Sequence, residues 1–90
     1  MTLHIDGFIW LDWVADKIQS KHGVQPGEVE ECFYNTPQKS IRSEGSKYKL
    51  LGRSSSGRYL TVIYVWEQRQ IKVISARDMD PKERRYFTRK

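Results

Sequence analysis

The spacing of apolar positions changes period along the chain. Leu3, Ile5, Phe8, Ile9 and Trp10 form an apolar stretch interrupted at Asp6-Gly7, which predicts a short strand within residues 3–10. From Leu11 the spacing becomes helical. Leu11, Val14, Ala15, Ile18 and His22 share a face, while Asp12, Asp16, Lys17 and Gln19 fall elsewhere. Acidic residues open this helix, Lys21 closes it, and Gly23 stands where a left-handed cap is expected. Pro26 suits the first turn of a second helix, with Glu28, Glu30 and Glu31 near its positive end and Val29, Cys32 and Phe33 as a narrow apolar stripe. Asn35-Thr36-Pro37 ends it.

The rest reads as β-structure. Residues 46–53 alternate, with Tyr48 and Leu50 opposite Lys47, Lys49, Leu51 and Arg53. Ser54-Ser55-Ser56-Gly57 is a turn, and residues 58–66 are dense in β-branched and aromatic types. Glu67-Gln68-Arg69 makes a second tight connection into a strand over residues 70–76. Asp80-Pro81-Lys82-Glu83 has the cap, the proline and the capping-box glutamate of a C-terminal helix. The predicted order is β-α-α-β-β-β-α, an α+β fold with a small antiparallel sheet, helices on one face and one domain over residues 1–90.

Charge divides the chain. Residues 1–40 carry three basic and six acidic side chains, a net of −3, and residues 41–90 carry thirteen and five, a net of +8. A basic second half of this kind predicts a surface that attracts phosphates, or else a merely solvated basic face. No apolar run approaches the ~20 residues of a membrane span, and the N-terminus lacks a secretory pattern. The single Cys32 excludes an internal disulfide, and CxxC and HxxxH spacings are absent. The expectation is a cytoplasmic protein without metal or cofactor.

Two arginines end predicted strands. Arg53 lies on the side of Lys47 and Lys49, and Arg77 follows Ile71, Val73 and Ser75 if its strand runs regularly. Two strands apart, roughly 10 Å between backbones, they are able to reach one phosphate and to stabilise charge growing on its oxygens as a ribose 2′-hydroxyl attacks. The alternative is that each merely ends its strand and pairs with a carboxylate such as Asp78. His22, beside Lys21, suits proton transfer, or else interacts with the last helical carbonyls. Glu28 is either a base or a complement to the helix dipole. Trp10, Trp13, Tyr59, Tyr64, Trp66, Tyr86 and Phe87 interleave with basic residues, as stacking on unpaired bases requires, although most aromatics of a small sheet build its core. Lys82, Arg84, Arg85, Arg89 and Lys90 form a basic tail.

The succession Phe8-Ile9-Trp10, Lys21-His22-Gly23-Val24, Glu28…Glu31…Phe33, Leu51-Gly52-Arg53-Ser54 with Gly57-Arg58, and Ile74-Ser75-Ala76-Arg77 before Glu83-Arg84-Arg85-Tyr86 resembles the BrnT toxin family from residue 8 to residue 87. The resemblance implies a RelE-like fold and a bacterial type II toxin that cleaves RNA and is held inactive by a BrnA-type antitoxin. It leaves open a homodimer within the toxin–antitoxin complex. By the same resemblance Arg53 and Arg77 stabilise the transition state, Glu28 and His22 transfer protons, and Trp10 shapes the pocket. Lys21, Lys47, Lys49 and Arg58 complete the expected RNA-binding set. A reading of a different class is a non-catalytic module whose basic face docks nucleic acid or an acidic protein.

Overall fold

The computed structural model describes residues 4–89, so Leu3 of the expected first strand and Lys90 of the basic tail lie outside it. The chain runs β1 (Gly7–Ile9), α1 (Asp12–His22), α2 (Pro26–Tyr34), β2 (Lys39–Arg42), β3 (Tyr48–Arg53), β4 (Tyr59–Glu67), β5 (Gln70–Asp78) and α3 (Pro81–Thr88). The punctuation residues act as their chemistry predicts. Gly23 adopts φ 62°, donates to Gln19, and lets Val24 N–H reach back to Ile18, which closes α1. Asp80 and Glu83 form a reciprocal capping box around Pro81.

The α+β class and the three helices match expectation, and the sheet holds more than the predicted strands. Its order is β1-β5-β4-β3-β2. The β3-β4-β5 meander is antiparallel, as its short turns require, but β1 pairs with β5 in parallel. The helical excursion after β1 frees it to cap the open edge of β5 in this sense. The fifth strand, β2, lies along β3 and was not predicted, because Lys39-Ser40-Ile41-Arg42 offers a single apolar residue.

The helices do not share one face. Val14, Ile18, Val24, Val29, Cys32 and Phe33 pack against Leu50, Leu60, Val62, Tyr64, Ile71, Val73 and Ala76, so α1 and α2 cover the same side. Each fully buried aliphatic side chain there is worth about 1.5–3 kcal/mol. Residues of opposite parity, Lys49, Tyr59, Thr61 and Arg77, meet Glu83 and Phe87 of α3 on the other side. Among the described residues, no helix is long and apolar enough to cross a membrane.

A bulge sets the phase of β5. Tyr64 pairs with Val73 but Ile63 pairs with Ser75, which leaves Ile74 as the extra residue. The strand therefore does not run regularly. Ala76 takes the core side after Val73, and Arg77 turns away from Ile71 and Val73 toward α3.

Candidate active site

Arg53 is placed by two close approaches. A Cβ on Gly52 would stand 3.1 Å from the Cys32 carbonyl oxygen and 3.2 Å from the Cys32 Cβ, so glycine is what lets α2 lie this near β3. The end of α2 is then tied to the β3–β4 turn. Asn35 Nδ2 donates to the Arg53 carbonyl at 3.0 Å, and the Ser55 N–H donates to Glu31 Oε1 at 2.9 Å. The turn closes through Ser54 N–H to the Arg58 carbonyl and Gly57 N–H to the Ser54 carbonyl, both 2.9 Å. Gly57 has φ 93°, and its missing Cβ leaves room for Arg53 Nη2.

The exposed guanidinium of Arg53 lies 4.9 Å from the centre of the Tyr59 ring, and that of Arg84 lies 3.8 Å from it. Phe87 meets the same ring edge-on at 5.8 Å. The two cations are thus about 9 Å apart at most, so their repulsion in water is at least about 0.5 kcal/mol, which a shared anion would relieve.

Arg77 shares this face but is held. It pairs across β4 with Thr61, whereas Arg53 pairs with Tyr59, so the two arginines are offset by two residues as well as two strands. Its Nη1 and Nη2 donate to Glu83 Oε1 and Oε2 at 2.7 and 2.9 Å. Glu83 is buried and also accepts from Thr61 Oγ1, Lys49 Nζ and Asp80 N–H. Burial alone would raise its carboxyl, but the Arg77 guanidinium and these further donors hold it down at about 2. Arg77 keeps about two-fifths of its side chain in solvent, at 39%.

The other sequence-derived residues form a second cluster on the α1/α2 side of the same sheet end. Arg58 donates to both oxygens of Asp78 (2.7 and 3.1 Å), to the carbonyls of His22 (2.8 Å) and Gly23 (2.6 Å), and to Glu28 (3.5 Å). Its cation thereby caps the last turn of α1. Hydrogen bonding to Arg58 lowers the Asp78 carboxyl, with attraction from His22 as a smaller cause. Glu28 also accepts the Gln25 N–H in the capping box of α2. His22, Glu28, Arg58 and Asp78 are therefore neighbours, and the sheet separates them from Arg53, Arg77 and Arg84.

The remaining expected RNA contacts are scattered. Lys21 and Lys47 are exposed, Lys49 is committed to Glu83 at 3.1 Å, and Trp10 packs on the core with its indole N–H donating to Glu30 at 2.8 Å. Sequence reasoning missed the grouping of Arg84 with Tyr59 and Arg53. Part of the signal was present: Glu83 and Phe87 are one turn apart and face the sheet, so Arg84 must border that face. Among the described residues, no three His, Cys, Asp or Glu side chains gather as a metal-binding group.

A family model described as the ribonuclease toxin BrnT of type II toxin–antitoxin systems matches residues 10–83. The fold is similar to the 1.1 Å crystal structure of the Brucella abortus ribonuclease toxin BrnT, with TM-score 0.69 and 18% identity over 82% of this chain and 96% of that one. No curated protein sequence matches the chain. The family match takes in the α1–α2 cluster, the whole β3-β4-β5 meander with its strand-end arginines, and the capping box of α3. On that extent, the chain belongs to the BrnT family of ribonuclease toxins of type II toxin–antitoxin systems.

Proposed function

We propose that this toxin cleaves RNA without a metal ion, with Arg53 and Arg84 as the groups that bind the scissile phosphate. The attacking 2′-oxygen forms a bond to phosphorus, the bond to the 5′-oxygen breaks, and a 2′,3′-cyclic phosphate and a 5′-hydroxyl result. One proton leaves the 2′-hydroxyl and one reaches the departing oxygen. Negative charge on the non-bridging oxygens peaks between these events, and fixed cations act there most strongly. The observation that carries this reading is the Tyr59 ring with an exposed guanidinium on either neighbour. Arg77, engaged by Glu83, is assigned to hold the positive face in shape and to add to its field. His22 and Glu28, the proton-transfer candidates of the sequence, lie across the sheet from this phosphate, and the Glu28 carboxylate is already taken up by Gln25 N–H and Arg58, so in this reading the two protons are exchanged with solvent water.

Membership of a type II system implies an antitoxin partner, which we assign to the BrnA type. Purified toxin is incubated with single-stranded RNA in EDTA. Cleavage to cyclic-phosphate ends is expected, falling about 10²–10³-fold in Arg53→Ala and in Arg84→Ala. Undiminished cleavage by both variants would overturn the assignment. The reading as a non-catalytic module draws on the ion pairs that occupy Arg58 and Arg77. Salt-sensitive RNA binding with no products would establish it instead.

A further inference from the structure

Arg53 lines a surface cleft of about 550 Å3, and the same cleft is lined by an aromatic residue that the core does not use. Tyr34, the last residue of α2, is 64% exposed. It lies one position beyond the apolar stripe of Val29, Cys32 and Phe33, so α2 turns that stripe to the sheet and leaves Tyr34 outside. Its ring is braced edge-on by Phe8 at 6.1 Å. Asn35, Thr36, Ser54, Ser55 and Gly57 line the rest of the cleft. Glu31, the nearby carboxylate, is occupied by the Ser55 N–H.

These groups match the chemistry of a nucleotide: a π-face for a base, a guanidinium for a phosphate, and hydroxyl and amide groups for a sugar. We infer that this cleft is an RNA subsite in which an unpaired base stacks on Tyr34 while Arg53 holds the phosphate next to it. The inference rests on the active-site reading above, because it extends the strand from the phosphate bound there. Stacking on an aromatic side chain tolerates any base, so the subsite would position RNA rather than select a sequence. A braced ring also loses little freedom when a base settles on it. The exposed Trp13 on α1 instead carries a cation, Lys17, at 5.6 Å over its ring.

The test uses the full chain in two arms. The first measures binding of an uncleavable, single-stranded 2′-O-methyl oligoribonucleotide over a range of salt. Tyr34→Ala is expected to weaken binding about 5- to 100-fold with the salt dependence unchanged, and Tyr34→Phe to bind as the unsubstituted toxin does. Arg53→Ala is expected to weaken binding and to reduce the salt slope by about one. The second arm follows cleavage of a DNA strand with a single ribonucleotide, which fixes the register. An abasic site on one flank of that nucleotide is expected to remove the difference between Tyr34→Ala and the unsubstituted toxin. Binding within twofold for Tyr34→Ala, or equal losses for Tyr34→Phe and Tyr34→Ala, would overturn the subsite while leaving the role of Arg53 intact. Cleavage that ignores Arg53→Ala defeats the active-site reading, and the first arm still decides the fate of Tyr34.

Discussion

Replacing Glu83 with glutamine tests the electrostatics of the α3 face directly. The carboxylate accepts from Arg77 through both nitrogens, from Thr61, from Lys49 and from the Asp80 N–H, and its side chain is only 10% exposed. Its depression from 4.5 to about 2 corresponds to about 3 kcal/mol of stability at neutral pH. A carboxyl with a lowered folded-state pKa contributes fully above its unfolded value and loses that contribution as pH falls toward the folded one. The window here runs from about 4.5 down to about 2. Glutamine keeps the shape but turns an amide NH2 toward donors and leaves two cations without their anion. The expected loss at pH 7 is about 3 kcal/mol, the low end for stripping a partner from a buried charge, since Arg77 and Lys49 are 39% and 31% exposed. Urea unfolding followed by tryptophan fluorescence, at pH 7 and then stepwise toward pH 2.5, reads both magnitude and sign. The gap between the two proteins should close by at least half on acidification, as the Glu83 carboxyl takes up its proton in the unfolded chain below about 4.5 while the folded one resists until about 2. A gap below about 1 kcal/mol at pH 7, or one that persists at low pH, would refute the reasoning.

Two further substitutions probe the supports of the site. Arg58→Lys keeps the charge but not the fork that joins Asp78 to the carbonyls of His22 and Gly23, and should cost about 2 kcal/mol in urea unfolding. In that variant the Asp78 carboxyl, followed by NMR titration, should climb back toward its ordinary value, and an unmoved titration would remove Arg58 as the cause. Gly57→Ala places a side chain at φ 93° with its Cβ 3.2 Å from Arg53 Nη2. It should lose about 1–2 kcal/mol of stability and slow RNA cleavage, and a neutral result in both measurements would contradict the tight turn.

Much of the local structure was legible because it depends on near neighbours in sequence. The αL cap at Gly23, the first-turn prolines at Pro26 and Pro81, the capping box from Asp80 to Glu83 and the meander turns each involve residues a few positions apart. β2 was illegible for a physical reason: Lys39-Ser40-Ile41-Arg42 has no strong strand tendency and is recruited by the open edge of β3. The phase of Arg77 was illegible as well, since a bulge at Ile74 arises from pairing between two strands and inverts every side chain after it. At the candidate site, Arg53 stands on the side of its strand that alternation predicts. Its partner on Tyr59 is nonetheless Arg84 from α3, while Arg77 answers to Glu83.

By itself, the sequence determined the class of fold, the helices and their ends, the basic character of the second half and the family resemblance. All of these follow from composition, short-range spacing or motif order. Which side of the sheet α3 covers, which cations are neutralised by carboxylates and which remain exposed were decided only in three dimensions. An arginine carries the same charge in any sequence, but its availability to a phosphate depends on the groups that the folded chain brings within about 3 Å of it.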